Sequence, residues 1–255
     1  LGDLTVFNAV LVYSCSLVVA LIVSISLITI DFQYDRKSPF DISKTLRICL
    51  DKGKHFLLTG LGGFGSQRLN YFLIEYFTGV RSVGLFTAAF MLPSFISMIP
   101  QQVATVAYSH VAAGGDQKSP LRMVKPIIQC LFLGIITTVL ILTQVSDRLV
   151  FLIFGPEFAG IGDSMVILCL ATGLGGLASI CVNALAGFGR PQAGTYMTII
   201  SIPCLLFAGA ILIPVLGILG AAIAMLITSI VSLTFVVILI SRASDESMFS
   251  LFTLN

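Results

Sequence analysis

The feature that most constrains this chain is a succession of long apolar runs. A helix needs about 20 mostly apolar residues to cross a hydrocarbon core of roughly 30 Å. Seven segments qualify: residues 4–30, 55–78, 83–108, 124–145, 164–186, 194–215 and 216–240. The last two meet at a tight turn, Ile213-Pro214-Val215-Leu216-Gly217. Water is absent from the bilayer core, so spanning segments must satisfy their own backbone, and runs of this length do so as helices. The expected fold is an all-α polytopic membrane protein with about seven transmembrane helices. A shorter stretch, 149–158, is too short to span and is expected at the interface.

Composition excludes the competing classes. Hydrophobic residues make up 57% and charged residues 10%, against about 45–50% and about 25% in soluble chains. So few polar groups cannot cover a soluble surface. Disorder is excluded because it needs low hydrophobicity and high charge. The net charge is only +2 and the basic residues are dispersed, so nucleic acid is not an expected partner. Of six cysteines, all but Cys49 fall inside apolar runs, with no zinc or redox spacing; they read as small buried hydrophobes.

Basic residues fix an orientation. Arg36, Lys37, Lys44, Arg47, Lys52 and Lys54 lie between the first two runs, Lys118, Arg122 and Lys125 after the third, Arg190 after the fifth and Arg242 after the seventh. These loops share one side and hold eleven of the fourteen Lys and Arg residues. The opposite loops hold only Arg81 and Arg148. The positive-inside rule makes the rich side cytoplasmic. Leu1 then starts outside, and an odd span count with an external start reads as a chain whose earlier spans are missing.

The first basic loop carries its own helix signal. Asp41 is placed to cap, and Ile42, Leu46, Cys49 and Leu50 recur at helical spacing among lysines and arginines. This predicts an amphipathic helix on the cytoplasmic membrane surface. Within the spans, Pro93, Pro100 and Pro203 each remove an intrahelical hydrogen bond and are expected to bend their helices. Gly60-Leu61-Gly62-Gly63-Phe64-Gly65 matches the dinucleotide fingerprint in letters only. It sits in an apolar span without a preceding strand, so its glycines, like Gly173, Gly175 and Gly176, read as points of close helix approach.

Arg68 is the most informative single residue. It falls near the middle of the second run, where an arginine costs about 2.5–3.5 kcal/mol on insertion scales and needs water or a partner. Glu75 is seven residues later on the same helical face, roughly 10 Å away along the axis. Tyr71 and Phe72 lie between. One reading is a cavity wall with a cation at depth and an acid nearer the outside; the other is a structural ion pair with neighbouring helices. Asn70, Gln101, Gln102 and Asn183 are further polar groups at depth, available to sugars or to adjacent helices. His55 and His110 lack metal-ligand companions, and no Ser/His/Asp set or paired loop carboxylates are visible. Neither an enzyme, a metal nor a cofactor is expected.

Four stretches together carry a family resemblance. Gly79-Val80-Arg81-Ser82-Val83-Gly84-Leu85-Phe86-Thr87-Ala88-Ala89-Phe90 resembles a turn between consecutive spans, with Phe86 where the family has Tyr. Phe154-Gly155-Pro156-Glu157-Phe158 is similar to F-G-x-x-F, and Gly187-Phe188-Gly189-Arg190-Pro191 to G-x-G-[KR]-P. Ile213-Pro214-Val215-Leu216-Gly217-Ile218-Leu219-Gly220-Ala221-Ala222-Ile223-Ala224 resembles I-P-x-x-G-x-x-G-A-A-x-A, the most specific of the set. In this order they resemble the Wzx-like polysaccharide flippases of the multidrug/oligosaccharidyl-lipid/polysaccharide exporter superfamily.

The resemblance implies two six-helix bundles around a central cavity that opens alternately to each side. Residues 1–30 would be the last helix of the first bundle, 31–54 a cytoplasmic linker, 55–241 the second bundle and 242–255 a cytoplasmic tail. It implies a bacterial inner-membrane transporter that flips undecaprenyl-pyrophosphate-linked oligosaccharide for O-antigen or exopolysaccharide assembly. Its partners would be that lipid-linked oligosaccharide, membrane lipids and other polysaccharide-assembly membrane proteins. Arg68, Asn70, Tyr71, Glu75, Gln101 and Asn183 are the expected cavity residues. Two alternatives stay open. A cation-coupled drug or metabolite antiporter would put acids at depth, and Glu75 is the one intramembrane acid in these runs. A lipid-sugar polymerase or ligase would need large external loops, and those here are short.

Overall fold

The structure is a computed structural model and describes residues 14–16, 18–19, 21–23, 42–112 and 120–244. Helical residues occur between Ser14 and Val23 (α1). Six long helices follow: α2 (Ile42–Thr78), α3 (Val80–Ala112), α4 (Pro120–Phe154), α5 (Gly162–Gly187), α6 (Gln192–Leu216) and α7 (Ile218–Ser244). A short 3-10 turn, Pro156–Phe158, joins α4 to α5. No strand occurs among the described residues. The chain divides into two compact units, Leu1–Arg47 and Ile48–Asn255, and α3 to α7 belong to the second together with most of α2.

Five helices, α3 to α7, are long and apolar enough to cross a membrane. Their outward faces are greasy: Leu152 is 85% exposed and Val215 78%. Large apolar surface of this kind has a lipid environment as its natural solvent. α2 is not among the five, because its membrane-length part carries His55, Gln67, Arg68, Asn70 and Glu75.

Two expectations about boundaries are revised. The amphipathic segment after Asp41 and the second apolar run form one uninterrupted helix of 37 residues. Asp41 itself lies outside the described residues. Likewise α4 continues through Asp147 and Arg148 to Phe154, so the stretch assigned to the interface is largely the last turns of a spanning helix. Charges lower hydropathy without breaking a helix. Gly155, at φ +87°, does break it. The prolines at 93, 100 and 203 leave α3 and α6 continuous.

α5 is the axis of the bundle and its most buried helix, packed against α3, α4 and α7. Its small residues set the approach distances. A Cβ on Gly173 would come within 2.8 Å of Ile135 on α4, and one on Gly176 within 2.6 Å of Pro100 on α3. Close contact of this kind drives helix association where the hydrophobic effect cannot. Two apolar clusters flank the middle. One gathers Ile128, Leu177, Ile180 and Ile240, the other Ile74, Phe86, Met165 and Ile213.

Connections alternate between two ends, as the span order predicts. The α2–α3 turn at Gly79, the 155–161 segment and the α6–α7 turn at Gly217 belong to one end. There Arg81 and Glu157 edge the same hollow. At the basic end, Phe56 of α2 meets Tyr108 of α3 edge-on at 6.2 Å. The expected tight turn before Ile218 is present: Gly217 takes φ +58°, a left-handed conformation that suits glycine. Gly220 then lies so close to the Leu212 carbonyl that a side chain would collide with it.

Candidate functional site

α2 presents two different faces. On the outward one, Arg68 is exposed and its guanidinium carbon stands 5.0 Å from the centre of the Phe64 ring. Residues four apart are neighbours on a helix, and an arginine over an aromatic face is attracted by the ring quadrupole. No carboxylate pairs with Arg68 among the described residues. It lies eleven residues before Gly79, or about 16 Å along the axis, a distance about half the thickness of a hydrocarbon core. Glu75 is exposed on the same face.

On the inward face, Asn70 is only 3% exposed. Neither its Oδ1 nor its Nδ2 has a hydrogen-bond partner. It borders a cavity of about 100 Å³ together with Ser66, Gln67 and Tyr71 of α2. Phe86 and Phe90 of α3 close one side, and Thr228 and Ser229 of α7 another. Tyr71 meets Phe86 edge-on at 5.9 Å, and Phe86 stacks on Phe90 at 6.1 Å. Ser66 donates to the Gly62 carbonyl and Thr228 to the Ala224 carbonyl, both at 2.8 Å. Their protons are thereby occupied and their oxygen lone pairs remain free.

A buried amide without partners costs about 1–3 kcal/mol for each orphaned group. The volume would hold about three waters. The cavity is mostly apolar-walled, and it brings the few polar groups of Ser66, Gln67, Asn70, Tyr71, Thr228 and Ser229 to one place between α2, α3 and α7.

Hydroxyl contacts run from this cavity towards the basic end along α2, α6 and α7. Ser201 and Ser232 share a hydrogen bond of 2.8 Å between α6 and α7. His55 Nδ1 lies 3.1 Å from Thr195 Oγ1, and Thr59 donates to the His55 carbonyl at 2.8 Å. Gly62 and Gly194 make room for this seam. A side chain at Gly62 would collide with Thr198, and one at Gly194 would come within 2.6 Å of Thr59.

The six expected cavity residues do not share one wall. Asn70 and Tyr71 are brought together inside the bundle. Arg68 and Glu75 stand on the opposite face of the same helix, and Gln101 is exposed on α3. Asn183, half-buried on α5, donates to the Ser179 carbonyl at 2.9 Å and is satisfied within its own helix. The sequence reading did not single out Ser66, Gln67, Thr228, Ser229 or the His55–Thr195 contact. Serines and threonines in apolar spans usually bond their own helix, so only the convergence of three helices marks these. Cys15, Cys130, Cys169, Cys181 and Cys204 are free; the expected burial holds for Cys169 and Cys181, whereas Cys15 and Cys130 are exposed. No group of three or more His, Cys, Asp or Glu gathers among the described residues.

These features define an all-α, multi-pass membrane protein. The chain belongs to the polysaccharide biosynthesis protein family, whose sequence profile matches residues 5–163. It is 24% identical over 184 residues to the "probable low-salt glycan biosynthesis flippase Agl15" of the archaeon Haloferax volcanii. That alignment covers 71% of this chain and 39% of the relative, so the chain spans about two-fifths of the relative's length. No solved structure matches the chain.

Proposed function

We propose that the protein moves a lipid-linked oligosaccharide across the cell's inner membrane, carrying the polar head through a hydrated path while the lipid tail stays in the bilayer. Family membership and the flippase named among its relatives support the transport of a glycan. The finer reading is an undecaprenyl-pyrophosphate carrier, moved by alternating access in bacterial O-antigen or exopolysaccharide assembly, with no covalent step and no cofactor.

The observation that carries this reading is Arg68. It is a cation in the middle of the second apolar run, exposed on the bundle's outer face and without an acidic partner among the described residues. A bare guanidinium facing lipid is unfavourable. One facing a water-filled path is well suited to a phosphate, which its planar fork grips bidentately. Glu75 on the same face and Gln101 on α3 would line that path. The cavity around Asn70 lies behind it, inside the bundle.

The test is the appearance of a labelled lipid-linked oligosaccharide in the outer leaflet of cells with and without the protein. The reading requires outer-leaflet label to depend on the protein. Equal label in both cells overturns it.

A further inference from the structure

The end of the bundle opposite the basic loops holds a feature outside the path proposed for transport. On α3, Gly84, Thr87, Ala88, Met91 and Ser94 recur three and four residues apart and share one face. Facing them are Phe154 at the end of α4 and Phe158 of the 3-10 turn, their ring centres 5.5 Å apart. A groove of about 510 Å³ runs between, walled almost entirely by carbon. It adjoins a hollow of about 200 Å³ and shares Gly84 and Phe158 with it. Arg81 and Glu157 edge that hollow. Both are exposed, and neither has a hydrogen-bond or ion-pair partner among the described residues.

Position and charge together specify an occupant. Arg81 lies in the first turn of α3 and Glu157 in the 3-10 turn, at headgroup level. Ser94 is thirteen residues beyond Arg81, about 20 Å along the helix, which is the thickness of one leaflet with its headgroup region. The space above Gly84 is open: a Cβ there would meet nothing within 4 Å. The mouth carries one positive and one negative group and is neutral overall. A phospholipid with a glycerol head would satisfy Arg81 but offer Glu157 no cation, and a polyprenyl pyrophosphate would bring further negative charge to it.

We propose that this slot binds a zwitterionic phospholipid of the ethanolamine type, its phosphate on Arg81, its ammonium on Glu157 and one acyl chain along the α3 groove. The site is independent of the transport reading and is read by binding alone.

The experiment places the purified protein in nanodiscs of equal ethanolamine and glycerol phospholipids, with a minor amount of polyprenyl phosphate. Lipids retained on the protein are then weighed by native mass spectrometry. One ethanolamine phospholipid should be retained, favoured about fivefold over the glycerol phospholipid, as one well-placed interfacial ion pair supports. Glu157→Gln should move the preference to the glycerol lipid. Arg81→Gln should lower retention of both. Gly84→Leu, at an exposed position with free space above it, should fill the groove and release the lipid without loss of folded protein. Retention that mirrors the bulk mixture, an unchanged preference in Glu157→Gln, or selective retention of polyprenyl phosphate would overturn the assignment.

Discussion

Arg68 and Asn70 are two residues apart on α2 and point in opposite directions. The guanidinium lies outside the bundle over Phe64, while the carboxamide is buried inside it with both polar atoms unpaired. At about 100° per residue, two steps turn a side chain roughly 200° around the axis. One stretch of helix thus serves two environments, an outer surface that carries a cation and an inner cavity that carries a neutral amide.

Arg68→Ala should strongly reduce flipping while the protein still inserts, and Arg68→Lys should restore it only in part. Lysine returns the charge but not the bidentate fork. Losing one partner of a desolvated charged contact costs about 2–5 kcal/mol, very roughly a 30- to 3,000-fold loss in affinity. Flipping normalised to folded protein is the measurement. Wild-type activity per folded Arg68→Ala molecule would sink the phosphate-binding role.

Asn70→Leu should leave the fold at least as stable as wild type. The substitution replaces two orphaned polar atoms by methyl groups, the adjoining cavity can take up the added volume, and the penalty removed is about 1–3 kcal/mol for each polar group. Thermal melting in detergent checks this. If the cavity only holds water for packing, flipping will track melting temperature. A drop in flipping without a drop in melting temperature assigns the cavity to the transport cycle.

Gly62→Ile and Gly194→Leu should both destabilise the contact between α2 and α6, the first against Thr198 and the second against Thr59 and Val182. Overpacking a tight contact costs about 1–3 kcal/mol. Gly63→Ala is the control, because a Cβ there meets nothing within 4 Å. Folded yield measured by size-exclusion chromatography should fall for the first two and hold for the third.

The orientation is testable with impermeant thiol reagents after the native cysteines are replaced. Arg190→Cys, at the exposed α5–α6 turn, should be shielded in intact cells. Ala159→Cys, exposed after the 3-10 turn, should be labelled. Ser146 is unsuitable as an external reporter, since it is buried within α4. The reverse labelling pattern would invert the protein and the direction of transport with it.

Glu75→Gln distinguishes flipping from cation-coupled efflux. A path-lining or packing role leaves glycan export largely intact, whereas an antiporter would lose proton- or sodium-driven efflux of its substrate. Efflux and glycan export measured on the same variant decide between them.

Much of this protein is written along its length. Span number and order depend on counting apolar residues along an axis, so α3 to α7 are legible in the sequence. The turn at Gly217 is legible too, because Pro214 and Gly217 carry its geometry locally. Where charges interrupted the apolar pattern, hydropathy cut the helices too short. Arg148 lies within α4 and Lys54 within α2, because a helix ends on backbone geometry and not on hydropathy.

Which way each helix faces was decided only in three dimensions. In a soluble bundle an apolar stripe marks the core, but in a membrane both the lipid side and the bundle side are apolar, and the stripe disappears. Rotation is set instead by where small residues let two helices approach. Gly62 against Thr198, Gly194 against Thr59 and Gly176 against Pro100 are such contacts, each between residues far apart in sequence. They turn Asn70 inward and leave Arg68 outside, a distinction that neither residue type nor spacing encodes.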